Sequence, residues 1–127
     1  MYGELLNKGE YRRSDLRART KDFALQVIRL YSSLPKTTEA QVIGRQLLRS
    51  GTSVGAHYRE AKRARSSAEF VSKIEGGLQE LEETVYWLEL LAEAKIAGTP
   101  QLGKLLQEAE ELTSIFVSSA KTAKKAM

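Results

Sequence analysis

Residues 46–61 read Gln46-Leu47-Leu48-Arg49-Ser50-Gly51-Thr52-Ser53-Val54-Gly55-Ala56-His57-Tyr58-Arg59-Glu60-Ala61, and the fold turns on whether this stretch is helix or loop. Composition argues against a helix. Ser50, Gly51, Thr52, Ser53 and Gly55 crowd the middle, and each glycine costs about 1 kcal/mol relative to alanine in a helix interior. Periodicity argues for one. Leu47, Val54, Tyr58 and Ala61 keep a single helical phase across the segment and extend the phase of Ala40 and Ile43. One helix over about 39–64 is therefore expected, with two shorter helices broken near Gly51 as the alternative. Thr38 followed by Gln41 is a capping-box pattern at its start. The Gly51-x-x-x-Gly55 spacing suits close backbone approach; with Arg49 and Arg59 beside it, the contact is expected between soluble helices.

Working outward, the two prolines, Pro35 and Pro100, both stand where an apolar period stops. Proline removes an amide donor and clashes with the preceding turn, so helix interiors exclude it. Leu16, Phe23, Val27, Tyr31 and Leu34 share a face and predict a helix over about 15–34. It ends at Leu34-Pro35, because the residue before proline is pushed out of the α region. Ser66 and Glu69 form a second capping box. They open a helix over about 67–97 whose inner stripe is Phe70, Ile74, Leu78, Leu81, Val85, Leu88 and Ala92, with Gly98 placed to close it. Thr99 as N-cap and Pro100 at the first position begin a fourth helix to about 124, carried by Leu102, Leu105, Ala109, Leu112, Phe116 and Ala123. Residues 1–14 are polar and aperiodic, read as a frayed N-terminal arm before a single domain over 15–127. The short connections favour antiparallel neighbours, hence an all-α, up-down-up-down four-helix bundle.

The chain has 127 residues, 42% of them hydrophobic, enough for one domain with one core. Cysteine is absent and His57 is the only histidine. Disulfides, thiolate sites and multi-histidine metal sites are thereby excluded. A di-iron carboxylate bundle needs Glu-x-x-His on two helices, and three positions before His57 stands Val54. No Gly-rich loop follows a strand, so no nucleotide fingerprint is present. No apolar stretch approaches the roughly 20 residues that span a bilayer, and Met1–Gly9 lacks the apolar core of a signal peptide. A soluble, cytoplasmic, non-enzymatic protein without metal or cofactor is the expectation, and His57 is read as a packing or hydrogen-bonding residue.

Two surfaces remain once the core is assigned. At about 100° per residue, Arg45, Arg49, Arg59 and Arg63 fall within about 40° of one line, opposite the inner stripe of their helix. Glu60 is the only acidic residue between 40 and 65, whereas faces that serve solubility alone usually mix signs. Residues 1–73 hold 15 basic and 7 acidic residues, a balance of +8; residues 74–127 hold 5 and 9, a balance of −4. Arg45, Arg49, Arg59, Lys62, Arg63 and Arg65 are thus candidate phosphate contacts. Glu75, Glu82, Glu89 and Glu93 form an acidic line on the third helix, read as a solvated face or a partner for the basic helices. That helix is also apolar on too many sides. Trp87, Leu90 and Leu91 point away from its expected inner stripe, so they are candidates for contact with another copy of the chain.

Particular residues carry a resemblance as well. Leu34-Pro35-Lys36, the run from Gln46 to Ala56, Tyr58-Arg59-Glu60-Ala61, Arg63-Ala64, Ser67-Ala68-Glu69-Phe70 and Glu80-x-x-Glu83-Thr84-x-x-Trp87-Leu88 are similar to a family of bacterial four-helix bundle proteins. Its founding members are encoded by intervening sequences within 23S ribosomal RNA genes. The likeness spans about residues 15–120, with one departure: the family usually has asparagine where this chain has His57. The resemblance implies four-helix subunits that assemble into cyclic pentamers. A related branch, the accessory proteins of diversity-generating retroelements, binds nucleic acid and a reverse transcriptase. Two functions follow as expectations. One is binding of RNA or DNA through the basic face. The other is a protein-interaction scaffold docking an acidic partner.

Overall fold

In the structure, a computed structural model, the backbone is described over residues 8–127 except Thr99, and side chains are described from Leu16 onward apart from Thr99. Four helices follow one another: α1 Lys8–Ser33, α2 Thr38–Lys62, α3 Ser67–Glu93 and α4 Pro100–Lys125. No strand occurs among the described residues. The stretch that decides the fold is one unbroken helix, α2. Helix α1 begins at Lys8, earlier than the expected onset near residue 15. The rest of the expected arm, residues 1–7, and Thr99 as N-cap lie outside the described residues.

α1 packs on α2, α2 on α3, α3 on α4, and α4 returns to α1. Phe23, Val27, Leu47, Val54, Ile74, Leu81, Leu88, Leu105, Leu112 and Phe116 are fully buried between them. The glycines of α2 are explained by this packing. A Cβ on Gly51 would stand 2.8 Å from Cγ2 of Val27, and one on Gly55 would stand 3.1 Å from Oγ1 of Thr20. Val27 and Thr20 both belong to α1, so the glycines let the two helix axes come close. Apolar packing between the two helices offsets the helix propensity that the glycines forfeit.

The inner face of α3 is rotated from the expected one. Ile74, Leu81 and Leu88 are buried as expected, but Val71, Gly77, Thr84 and Leu91 join them. Phe70, Leu78, Val85 and Ala92 are only partly buried. The cause lies in the seam with α2. Gly76 admits the His57 side chain, whose ring atoms stand 2.8 Å from a Cβ built on it, while Gly77 makes room for the Phe116 ring of α4. Further along the seam, the buried hydroxyls of Thr84 and Ser50 hydrogen-bond at 2.9 Å. Small and polar residues thus face α2, and the larger apolar ones turn toward α4.

Two helix ends also differ from expectation. The N-cap of α2 is Thr37, whose side chain accepts from the Ala40 amide. Gln41 instead donates to the Pro35 carbonyl at 2.9 Å and accepts from the Tyr31 hydroxyl at 3.1 Å. At the end of α3, Lys95 takes the left-handed conformation expected of Gly98, with φ 59°. The amides of Ile96 and Lys95 donate to the carbonyls of Leu91 and Ala92 at 2.9 and 3.1 Å, the two bonds of a Schellman motif. Ile96 is thereby folded back onto the core. Ser66 caps α3 as expected, accepting from the Glu69 amide at 3.1 Å.

Candidate nucleic-acid-binding face

The basic line of α2 survives folding, with one member in ion pairs. Arg45, Arg59, Lys62 and Arg63 are exposed or half-exposed on the outer side of the helix, and Arg65 lies just beyond its end. None of the five forms an ion pair among the described residues. Arg49 differs. Its guanidinium spans the α2–α3 seam, meeting Glu80 at 3.3 Å and hydrogen-bonding to Glu83. The Glu83 hydrogen bond and the Glu80 charge raise its pKa further above the ordinary arginine value. Arg49 is thus engaged within its own chain while remaining half-exposed.

Packing adds cations that were not in the expected set. Thr20, Lys21 and Ala24 of α1 meet Thr52, Gly55, Ala56 and Arg59 of α2 around a groove of about 350 Å³. Small residues floor it, and Lys21 and Arg59 stand at its edges. Arg17, one turn before Lys21, is exposed as well. The periodicity of α2 by itself carries no register against α1, so Arg17 and Lys21 had no assigned place beside the arginine line. The signal available was the bare charge excess of residues 1–73.

The acidic side is divided. Glu80 and Glu83 hold Arg49, Glu75 pairs with Lys124 of α4 at 3.0 Å, and Glu60 of α2 pairs with Lys73 of α3 at 2.9 Å. The Lys73 hydrogen bond holds the Glu60 carboxyl below the usual carboxylate value. Glu82, Glu89 and Glu93 are exposed. On the far seam, Arg19 of α1 bridges Glu108 and Glu111 of α4 at 2.6 and 3.2 Å.

His57 lies in the α2–α3 seam beside this network. Its Nε2 is 3.6 Å from Glu80, and its buried Nδ1 has no hydrogen-bond partner among the described residues. The three apolar residues expected at a copy-to-copy contact are dispersed. Leu91 is fully buried in the core, because the rotation of α3 turns it inward, and it is withdrawn from that set. Trp87 is partly buried against the core and stands edge-on to Tyr86 at 4.9 Å, while Leu90 is half-buried. Among the described residues no cluster of His, Cys, Asp and Glu is arranged to hold a metal. No helix among them is long and apolar enough to cross a membrane.

The family model described as 23S rRNA-intervening sequence protein matches residues 12–118. The chain belongs to that family. Its fold is also similar to a solved one, the crystal structure of a protein with unknown function from the S23 ribosomal protein family of Bacteroides thetaiotaomicron VPI-5482. The two are 34% identical, the match covers 86% of this chain and 97% of the other, and the TM-score is 0.80. No curated protein matches. As a 23S rRNA-intervening sequence protein, this chain places the family-like run from Gln46 to Ala56 against α1 through Gly51 and Gly55, and the departing His57 against α3.

Proposed function

We propose that this chain is a non-enzymatic RNA-binding protein that works as a homo-oligomer. Its four helices run up-down-up-down and antiparallel, and its copies close into a ring, a pentamer on the family resemblance. One observation above all carries this function. Arg45, Arg59 and Arg63 lie along the outer side of α2 without a carboxylate partner among the described residues. Arginine suits phosphate because its planar fork donates two parallel hydrogen bonds. Lys62, Arg65 and Arg17 widen the same field. Repetition around a ring multiplies a subunit charge that is only +4.

Phosphate contacts position a ligand without reading its sequence, so the binding is to any structured RNA and, less selectively, to DNA. Salt dependence tests it. If a ring engages about five phosphates, log affinity against log salt has a slope of about −4 to −5 for duplex DNA and a shallower one for single strands. Binding insensitive to salt, or capture of one acidic protein with no affinity for RNA, overturns the reading.

A further inference from the structure

The face of α3 and α4 away from the basic groove carries an unmatched set of features. Leu78, Val85, Tyr86 and Val117 line a depression of about 690 Å³ between the two helices, and Glu82, Glu89 and Glu110 stand around it. Tyr86 is 54% exposed and Val117 37%. None of the three carboxylates forms an ion pair among the described residues. This is an apolar trough with an uncompensated acidic rim, and it takes in Leu78 and Val85, which the rotation of α3 turns out of its expected inner stripe.

The outer side of α1 has the reverse character. Leu25 and Ile28 are 40% and 41% exposed. Lys21 stands one turn before Leu25 and Arg29 one turn after it, both exposed and neither in an ion pair among the described residues. The spacings agree. Glu82 and Glu89 are seven residues apart, about 10.5 Å along a helix; Lys21 and Arg29 are eight apart, about 12 Å. A helix laid in the trough would set Leu25 and Ile28 over Leu78, Val85 and Val117 and bring its two cations to the rim.

We infer that the α3/α4 trough of one copy receives the outer face of α1 of a second copy. This pairing rests on the homo-oligomer proposed above and assigns the surfaces that build it. The two surfaces differ, so the contact runs head to tail from copy to copy, the kind that closes into a ring when the rotation permits. The pairs across it are Lys21 and Arg29 with Glu82, Glu89 and Glu110.

Charge reversal tests this directly, with sedimentation velocity at micromolar concentration as readout and far-UV circular dichroism to follow the fold. Glu82→Lys with Glu89→Lys in one chain, and Lys21→Glu with Arg29→Glu in another, each place like charges together and weaken assembly on the order of a hundredfold or more. A chain carrying all four reversals restores complementarity and assembles again. An independent measurement uses the absence of native cysteine. A chain with Ile28→Cys and Val117→Cys forms covalent multimers on mild oxidation, whereas either single variant forms at most dimers. An oligomer that withstands both pairs of reversals and gives no ladder overturns this interface while leaving assembly intact. A natural chain that is monomeric overturns the assembly and the interface together.

Discussion

Lys95 holds a backbone conformation, φ 59°, that costs a residue with a side chain about 1–2 kcal/mol. The bonds from Ile96 and Lys95 back to Leu91 and Ala92 keep it there, because they satisfy the last carbonyls of α3 and seat Ile96 on the core. Glycine adopts this conformation without a steric penalty. Lys95→Gly is therefore expected to stabilise the protein by about 1 kcal/mol, read as a higher midpoint in urea with an unchanged slope. A destabilised variant would mean that the lysine side chain contributes more than the strain removes. Sequence reading placed this role on Gly98, the obvious left-handed residue. It missed because the turn is positioned by the burial of Ile96, and so falls three residues earlier than the glycine. The same limit applies to Leu91, whose 3.6-residue phase fits either side of α3 until the partner helix is known.

At the scale of the elements, the α1–α2 seam depends on Gly51 and Gly55. Val27 is fully buried and stands where a Cβ on Gly51 would go. Gly51→Ala gains about 1 kcal/mol of helix propensity but overpacks the seam at a typical cost of about 1–3 kcal/mol. A net loss of about 1 kcal/mol is expected. Val27→Ala in the same chain opens the space, so the double variant is less destabilised than the sum of the singles, with a coupling of about 0.5–3 kcal/mol. Strict additivity would show that the glycine serves something other than close approach. The helices themselves were legible from period, prolines and caps, including the continuity of α2 through its glycines. The seams were not, because amphipathic period gives each helix a face but no register against its neighbours. That is why the bridge from Arg49 to Glu80 and Glu83, and the bridge from Arg19 to Glu108 and Glu111, emerge only in three dimensions. Both hold separate helices together. Arg19→Met removes the charge-assisted bonds to Glu108 and Glu111, and discounted for partial exposure the expected loss is about 1 kcal/mol. It is checked by urea unfolding, with faster hydrogen exchange concentrated in α1 and α4.

Across the whole molecule, charge is sorted by element. The cations assigned to phosphate lie on α2, α1 and the turn after α2, and the acidic excess lies on α3, whose Glu82 and Glu89 join Glu110 of α4 at the trough. The split between the two halves of the chain was readable from composition, and so was the arginine line; which arginines stay free was not, since that depends on what α3 presents across the seam. With the basic side given to phosphate and the acidic trough to a second copy, the two roles separate in one experiment. Arg45→Glu with Arg63→Glu is made in the full chain, RNA affinity is measured by fluorescence anisotropy at fixed salt, and the oligomer is followed by sedimentation. Affinity for structured RNAs of unrelated sequence is predicted to fall alike for all of them, by about tenfold or more, while the oligomer keeps its size. Unchanged RNA affinity, or an oligomer that falls apart on these two substitutions, would contradict the assignment of the α2 arginines to phosphate.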